Sequence, residues 1–233
     1  MTEYAQETCQ SEGTETSATL LIEKVALRAV SHLANPVTGR AVLDLCCSDG
    51  PVSRWLALHG AHVTGIDPAQ ACIEKARHTE SLDPHGISYV VGDPEDLFMV
   101  EDSSFDDVTC NLSLSRIESL AMVVAEVARI IRLGGRFIFT VSHPCFDLRF
   151  LGGEDACHTV SDYYMEGERE GLNGPMHHRT LATYINAVAA RGFTVRRVLE
   201  SAAEERDVVG APEFTSWNHS PIVLAVEAVF PRL

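Results

Sequence analysis

The stretch VLDLCCSDGPVSRWLALHGAHVTGID, residues 42–67, determines the predicted fold. Residues 41–46 are a short apolar run of the kind that forms a buried strand. Residues 51–60 predict a helix, because a proline suits its first turn and a glycine suits its end. A second apolar run at 62–67 completes a strand–helix–strand unit.

The same alternation continues along the chain. Further helices are expected at 69–78 and 118–132, and further strands at 87–93, 105–114 and 136–142. Strands that alternate with helices in this way are typical of a parallel sheet covered by helices on both faces. The predicted fold class is therefore α/β.

The flanking residues complete one predicted domain, 1–233, in four segments. A helix at 17–33 makes residues 1–35 an N-terminal helical cap on a core at 36–142. Residues 143–178 are rich in His, Gly and acidic residues and have no clear periodicity, so they are predicted to form a lid over one edge of the sheet. The sheet ends within 179–233, where we expect a helix at 180–191 and strands at 194–200 and 221–230.

The charge of the chain argues against two classes of partner. Lys and Arg number 18 against 33 Asp and Glu, which gives a net charge of −15 with the histidines neutral. Such a chain repels nucleic acid phosphates and anionic lipids unless a local basic patch intervenes. The sequence shows no such patch, so no nucleic acid and no membrane is predicted as a partner. The oligomeric state is left open between monomer and homodimer.

Cysteine use and the N-terminus predict a cytoplasmic location. Seven cysteines occur at irregular spacing without a C-x-x-C pair, which argues against a disulfide framework and a zinc ribbon. The first residues lack the basic and apolar regions of a signal peptide. No apolar run approaches the ~18 residues needed to cross a bilayer.

The loop Asp44–Gly50 lies after the first strand and before a helix, where open parallel sheets bind ligands. A dinucleotide requires the pattern G-x-G-x-x-G, and of these glycines only Gly50 is present. Asp44 and Asp49 would also repel a pyrophosphate. They suit a cationic ligand such as S-adenosylmethionine, which carries a sulfonium and an ammonium group. The electrostatics therefore favour this cofactor over NAD.

Two more carboxylates end strands. Asp67 ends the second strand, where it can accept hydrogen bonds from both hydroxyls of a ribose. Asp93 ends the third strand, where it can accept a hydrogen bond from an adenine amino group. A single Asp at a strand end is more often a turn former. Acids at the ends of successive strands favour a binding site instead.

In combination these motifs resemble the class I S-adenosylmethionine-dependent methyltransferases, particularly the small-molecule branch. The resemblance extends over about residues 40–200 and rests on VLDLCCSDG, VTGIDPAQACIEKA, VVGDPEDL, FDDVTCNLSLSRIE and IIRLGGRFIFTVSHPCF. It implies a Rossmann-like, mostly parallel seven-stranded sheet of order 3-2-1-4-5-7-6 in which strand 7 is antiparallel.

The resemblance also implies the cofactor S-adenosylmethionine, the product S-adenosylhomocysteine and a set of binding residues. Around the methionine part of the cofactor it places Asp44, Cys46 and Gly50. It places Asp67 at the ribose, Asp93 at the adenine and Asn111 at the edge of the transfer site. The neighbouring residues predicted to contribute are Cys47, Pro68 and Pro94.

The sequence departs from the family pattern in two places. The first loop is usually D-x-G-x-G-x-G, and this chain has Cys46 and Ser48 where glycines are usual. Because a β-carbon disfavours positive φ, we expect a shifted loop and a lowered cofactor affinity. Arg116 follows the fourth strand where relatives often carry a histidine or an aromatic residue. It predicts an acceptor with a carboxylate or another acceptor oxygen, with a solvent-facing arginine at a helix start as the alternative.

Histidines are the candidate bases, since their pKa lies near neutrality. His143 follows the fifth strand, and His177 and His178 end the predicted lid. The alternatives are that His143 fixes the turn before a proline and that the pair hydrogen-bonds a helix start. A metal site formed by His143, Cys145, Cys157 and His158 matches no standard ligand spacing, so no metal is predicted.

Aromatic residues cluster in and after the lid, at positions Phe146, Phe150, Tyr163, Tyr164, Phe214 and Trp217. With the helix at 17–33 they are predicted to roof an apolar cavity for the acceptor. The predicted substrate contacts are Arg116, Phe146, Tyr163, Tyr164 and Trp217. The alternative is that the aromatic rings pack the lid onto the sheet.

The leading functional hypothesis is an enzyme that methylates an O or N of a small metabolite or natural product. In-line methyl transfer needs little beyond positioning, because the methyl carbon of the cofactor is already activated. The main alternative is a scaffold that binds S-adenosylmethionine for non-methylating catalysis or for a binding role, and the altered glycine positions motivate it. A nicotinamide-dependent dehydrogenase ranks third.

Overall fold

The computed structural model describes residues 17–146, 162–171, 174–209 and 211–232. They form a seven-stranded sheet with helices on both faces and a separate two-stranded hairpin. The helices are α1 Ser17–Ala34, α2 Pro51–Leu58, α3 Gln70–Leu82, α4 Leu120–Ile130 and α5 Leu181–Ala190. The strands are β1 Ala41–Leu45, β2 His62–Asp67, β3 Ser88–Val91, β4 Phe105–Asn111, β5 Ile131–Ser142, β6 Gly167–Gly171, β7 Gly174–His178, β8 Thr194–Ser201 and β9 Val223–Val229.

The sheet confirms the predicted fold. Its strand order is β3-β2-β1-β4-β5-β9-β8, which equals the predicted order when the hairpin strands β6 and β7 are left out of the numbering. Strands β1 to β5 pair in parallel, and β9 pairs antiparallel with both β5 and β8. The carboxyl ends of β1 to β5 therefore meet at one edge, and the strand order reverses beside β1.

Alternate residues of β1 face two apolar cores. Val42 belongs to the core beneath α1, α2 and α3, whereas Leu43 and Leu45 belong to the core beneath α4 and α5. Asp44 shares its face of the strand with Val42. The strand thus carries a carboxylate into an apolar environment at the carboxyl edge of the sheet.

Several predicted boundaries are wrong: the helix predicted at 69–78 continues to Leu82, the third strand ends at Val91 before Asp93, and two further boundaries differ for local reasons. The fourth strand ends at Asn111 instead of residue 114, because Leu112 has a left-handed φ of 57° and a 3-10 turn follows at Leu114–Arg116. The helix predicted to reach residue 132 ends at Ile130. Strand β5 begins directly after it, because Ile131 pairs with Phe105 on β4.

The hairpin of β6 and β7 lies in the segment without sequence periodicity. Its antiparallel strands pair Gly167 with His178 at one end and Gly171 with Gly174 at the other. Most of its side chains are exposed or half-buried, so no alternation of apolar residues predicts it. Residues 147–161 of the same segment lie outside the described residues, and the division into four segments stays a prediction.

A buried network of charges ties α1 to the amino edge of the sheet. Asp107 is fully buried and accepts hydrogen bonds from Arg40 at 2.5 and 2.8 Å and from Arg136 at 2.6 and 2.9 Å. Arg136 also donates to the carbonyl oxygens of Ala34 at 2.8 Å and Pro36 at 3.0 Å. Because the last carbonyls of a helix have no partner within it, Arg136 caps the end of α1.

Candidate functional site

The loop between β1 and α2 has the backbone conformation that glycines allow. Cys46, Ser48 and Gly50 have positive φ values of 56°, 52° and 90°. The Cys47 amide donates to the carbonyl oxygen of Ile66 at 3.1 Å, which fixes the loop on β2. The β-carbons of Cys46 and Ser48 therefore do not prevent positive φ, and the shifted loop stays a prediction. The chain keeps the conformation at a cost in backbone energy, and the lowered cofactor affinity stays a prediction.

The variant Ser48→Gly tests this backbone cost. A left-handed non-glycine residue costs about 1–2 kcal/mol, whereas the entropy lost by an added glycine costs about 0.5–1 kcal/mol. We therefore expect the free energy of unfolding, measured by urea titration, to stay the same or to rise by up to about 1 kcal/mol. The control Ser81→Gly, in helix α3, is expected to lose stability. Equal losses of unfolding free energy in Ser48→Gly and Ser81→Gly would contradict backbone strain at Ser48.

Asp44 is buried under the loop, at 1% exposure. Its Oδ2 accepts a hydrogen bond from the Ser53 hydroxyl at 2.6 Å, and its Oδ1 accepts one from the Thr109 hydroxyl at 2.9 Å. Burial nevertheless raises the pKa of Asp44 to about 6, since desolvation disfavours the charged form. A cation bound beside the loop would favour the ionised form again.

Asp67 joins the loop to the end of β2. Its Oδ2 accepts a hydrogen bond from the Ser48 amide at 2.9 Å, and its Oδ1 accepts one from the Ala69 amide at 2.8 Å. Burial raises the pKa of this carboxyl above its ordinary value. Each carboxylate oxygen keeps a further lone pair, so the group is arranged to accept two adjacent hydroxyls. The half-buried Pro68 lies between Asp67 and Ala69.

Asp93 lies next to this carboxylate along the edge of the sheet. The Gly92 amide donates to the carbonyl oxygen of Asp67 at 3.1 Å, which holds the ends of β2 and β3 together. Asp93 is exposed, and its Oδ1 accepts a hydrogen bond from the Glu95 amide at 2.9 Å. This contact is the turn-forming role that was the alternative for a single Asp at a strand end. The Asp93 carboxylate makes this contact and is exposed to solvent as well. Pro94 is buried beneath it.

Tyr89 supports the loop and was missed by the sequence reasoning. Its ring lies across Gly65, where an added β-carbon would come within 2.7 Å of Cδ1. Its hydroxyl reaches Gly50, where an added β-carbon would lie 2.3 Å from the oxygen. Burial raises the pKa of Tyr89 to about 12. Gly50 is therefore required both by its φ and by this ring, and the retained glycine was the one available signal.

Asn111 and the turn after β4 form the far side of the site. The Asn111 Oδ1 accepts a hydrogen bond from the Thr140 hydroxyl at 2.6 Å, which orients the amide group. The Ser113 hydroxyl lies 3.5 Å from the carbonyl oxygen of Cys46, so the turn contacts the cofactor loop. Arg116 ends the 3-10 turn and is half-buried.

Arg179 was also missed. It is 9% exposed and donates to the carbonyl oxygens of Leu114 at 2.9 Å, Ile117 at 2.6 Å and Glu118 at 2.7 Å. A sequence offers no signal for contacts between a side chain and distant carbonyl groups. This guanidinium group fixes the turn that carries Arg116.

Contacts within the fold occupy two of the candidate bases. His143 Nε2 lies 2.9 Å from Glu200 Oε1, and its Nδ1 accepts a hydrogen bond from the Cys145 amide at 3.1 Å. His178 Nε2 lies 2.9 Å from the carbonyl oxygen of Tyr163. The contacts of His143 favour its turn-fixing alternative, whereas His178 contacts a carbonyl group before the hairpin and not a helix start. His177 is half-buried, and its backbone pairs with Glu168 across the hairpin.

The aromatic residues divide into buried and exposed positions. Phe146 and Trp217 are buried with ring centroids 4.9 Å apart, and Phe214 lies 4.7 Å from Trp217. These rings belong to the core beneath α1, which favours packing over a cavity roof. The hydroxyl of Tyr163 accepts a hydrogen bond from the Leu181 amide at 2.9 Å, whereas Tyr164 is 88% exposed. Phe150 lies outside the described residues.

The described residues contain neither a metal-binding cluster nor a membrane-spanning helix. None of its groups of His, Cys, Asp and Glu side chains could hold a metal ion. Cys157 and His158 of the rejected metal site lie outside the described ranges. Among the helices that the structure describes, none has the length and apolar character needed to cross a membrane.

The donor set at this edge fits S-adenosylmethionine. Buried Asp44 and Asp67 provide negative charge beside the loop, where a sulfonium and an ammonium group would be stabilised. Asp67 presents acceptors for the hydroxyls of a ribose, and Asp93 presents one for an amino group. The carboxylates therefore occur in the order that the parts of this cofactor require.

Comparison with solved structures shows similarity over most of the chain. A crystal structure of an S-adenosylmethionine-dependent methyltransferase from Mesorhizobium loti has a TM-score of 0.74 and 27% identity, covering 92% of this chain and 98% of that chain. A putative methyltransferase of the same kind from Listeria monocytogenes has a TM-score of 0.78 and 25% identity, covering 90% and 98%.

Sequence comparison agrees. Residues 43–139 match the family of the methyltransferase domain. The ubiquinone biosynthesis O-methyltransferase of Xylella fastidiosa is 26% identical over 183 residues, which are 78% of this chain and 60% of that protein. That of Albidiferax ferrireducens is 33% identical over 137 residues, 57% of this chain and 54% of that protein. This chain thus spans little more than half the length of these relatives. Residues 43–139 therefore form a methyltransferase domain, and over most of its length the chain is similar to S-adenosylmethionine-dependent methyltransferases.

Proposed function

We propose that this chain transfers the methyl group of S-adenosylmethionine to an O or N of a small molecule. The observation that carries the proposal is the row of carboxylates Asp44, Asp67 and Asp93 at the ends of adjacent parallel strands. Two of them are buried, and each already accepts two hydrogen bonds within the fold. A cationic cofactor would stabilise these buried negative charges further.

Each candidate cofactor residue, in the loop and at the neighbouring strand ends, has a distinct role in the proposal. Asp44 stabilises the positive charge of the methionine part through the loop, beside Cys46, Cys47 and Gly50. Asp67 accepts hydrogen bonds from the ribose hydroxyls. Asp93, with Pro94, binds the adenine edge, and Asn111 borders the acceptor. Because the reacting methyl carbon is already activated, these contacts act by orientation.

The names of the curated relatives favour an oxygen acceptor. Those proteins are O-methyltransferases of ubiquinone biosynthesis. A neutral hydroxyl acceptor must lose its proton as the new bond forms. Of the three candidate histidines, His177 is the one whose ring no described contact fixes to the fold, so we assign the base role to it. Arg116 and Tyr164 remain the proposed acceptor contacts nearest to solvent.

A second function is favoured by one observation, the β-carbons of Cys46 and Ser48 in the left-handed loop. These two β-carbons narrow the space beside the loop, where family members have glycine. A scaffold that binds the cofactor without transferring its methyl group would tolerate the narrower space. The two functions differ in one product. Only methyl transfer forms S-adenosylhomocysteine in step with a methylated acceptor.

The experiment that tests the proposal is a screen for a methylated product. The protein is incubated with S-adenosylmethionine and matched sets of phenols, carboxylic acids and amines, and products are analysed by mass spectrometry. We expect one set to gain the mass of a methylene group in equal amount to the S-adenosylhomocysteine formed. Cofactor binding without any such product would favour the scaffold instead.

Cofactor binding is expected to depend on pH through Asp44. This carboxyl has a pKa of about 6, so below that pH it becomes neutral and no longer attracts a cation. The dissociation constant of S-adenosylmethionine should rise by up to about tenfold for each pH unit below 6. Calorimetry between pH 5 and 7 measures this, and Asp44→Asn should bind weakly with a flatter pH dependence. The same slope in both proteins would contradict the role of Asp44.

A further inference from the structure

Arg179 occupies a special position between two elements. It follows the last residue of β7 and precedes α5, and its side chain points under the 3-10 turn Leu114–Arg116. Its three carbonyl acceptors lie in that turn and in the two residues after it. Strand β7 also packs against the turn. The guanidinium group therefore joins the hairpin to the acceptor side of the site.

Among the described residues, no carboxylate forms an ion pair with the guanidinium group of Arg179. Within the described ranges, the ion pairs of arginine involve Arg28, Arg40, Arg129, Arg132, Arg136, Arg197 and Arg206, and Arg179 forms none. A buried charge without a partner is costly, and its field reaches further than that of an exposed one. Within the described part of the chain, the turn thus lies beside a positive charge that carbonyl groups stabilise without a carboxylate.

The titratable groups around Arg179 leave this charge in place. The carboxylate of Glu166 accepts hydrogen bonds from the Thr180 amide at 2.7 Å and from the Thr183 hydroxyl, and both contacts lower its pKa. His178 is held by a carbonyl group. The phenol of Tyr184 is buried beside the guanidinium, and burial raises its pKa to about 12. None of these groups supplies a direct counter-ion.

Charge is therefore separated along the carboxyl edge of the sheet. Carboxylates lie at the ends of β1, β2 and β3, where the cationic cofactor is proposed to bind. Beyond β4, the guanidinium of Arg179 is buried beneath the turn, and the buried His143 at the end of β5 pairs with Glu200. We propose that Arg179 is a positioning residue that selects an acceptor reacting as an oxygen anion, a phenolate or a carboxylate. This inference rests on the proposed methyl transfer and specifies its acceptor class.

The chemistry balances with such an acceptor. The oxygen anion provides the electron pair of the new oxygen–carbon bond, and the electron pair of the broken carbon–sulfur bond stays on sulfur. The negative charge of the oxygen and the positive charge of the sulfonium are both lost. No proton has to leave in this step, so Arg179 lowers the need for a base by favouring the ionised acceptor.

Three aromatic probes test the acceptor class without turnover. The protein is loaded with S-adenosylhomocysteine, and binding of para-nitrophenol, para-nitrobenzoate and neutral para-nitroaniline is measured by calorimetry. The absorbance of bound nitrophenol reports its ionisation. We expect at least one oxygen acid to bind as its anion and nitroaniline to bind at least about fivefold more weakly.

Variants separate the charge of Arg179 from its packing. Arg179→Met should weaken binding of the anion by about fivefold or more and raise the apparent pKa of bound nitrophenol, whereas Arg179→Lys should keep most of both effects. The matched control is Arg169→Met, because Arg169 donates to the carbonyl oxygens of Asp162 and Met165 in the segment just before the hairpin. It should leave probe binding unchanged.

Several results would overturn the inference. They are equal binding of the neutral and acidic probes, failure of both acids to bind the loaded protein, and equal losses in Arg179→Met and Arg179→Lys. Failure of the proposed function gives different results from these three. If the proposed function fails, S-adenosylhomocysteine does not bind, or no acceptor in the product screen gains a methyl group.

Discussion

Replacing Asp67 by alanine is expected to weaken the binding of S-adenosylmethionine by about 10- to 150-fold, or about 1.5–3 kcal/mol. The substitution removes both acceptors for the ribose hydroxyls. It also releases the amides of Ser48 and Ala69, which the carboxylate holds at 2.9 and 2.8 Å. The loop thus loses its anchor on β2 together with its ligand contact.

Titration calorimetry measures this effect, and Asp49→Ala is the matched control. Asp49 is an exposed carboxylate of the same loop, so water screens its charge. We expect its removal to change the dissociation constant by less than about twofold. A thermal melt of each variant shows whether the fold persists. Affinity within twofold of the wild type in Asp67→Ala would remove Asp67 from the ribose site.

Replacing Asp107 by alanine is expected to lower the free energy of unfolding by about 3–5 kcal/mol. Asp107 is 0% exposed, and its carboxylate is the shared partner of Arg40 and Arg136. Without it, the 9% exposed guanidinium of Arg136 loses its close counter-ion, since Glu227 lies 3.9 Å away. The cap on the last turn of α1 is expected to loosen as well.

Urea titration followed by circular dichroism measures the loss. The control Asp102→Ala removes a carboxylate that pairs with Arg129 but has a 75% exposed side chain. Exposed pairs contribute about 0–1 kcal/mol, so this variant should stay close to the wild type. Similar losses in both variants would show that burial does not set the strength of the Asp107 network.

The parallel sheet was predictable from local patterns, whereas its strand order was predicted only through the family resemblance. Apolar runs such as 41–46 and 62–67 alternate with helices, and parallel strands linked in this way leave few possible arrangements. The acids Asp44, Asp67 and Asp93 were predictable for a related reason. They end their strands in the sequence, so they must meet at the carboxyl edge of a parallel sheet.

Residues whose role depends on distant contacts were not predictable. Tyr89 supports Gly50, 39 positions earlier in the numbering, and Arg179 binds carbonyl groups more than 60 positions away. The hairpin lacked a pattern because its strands bury few apolar side chains. His143 was indicated as a base because of its position, but position alone could not reveal its contacts with Glu200 and Cys145.

The most direct test of the account is whether this chain binds S-adenosylmethionine at the carboxylate edge. Calorimetry of the wild-type protein should show saturable one-to-one binding at pH 7, and Asp67→Ala should weaken it while Asp49→Ala does not. A wild-type protein that is folded and shows no binding of S-adenosylmethionine or S-adenosylhomocysteine would contradict the account.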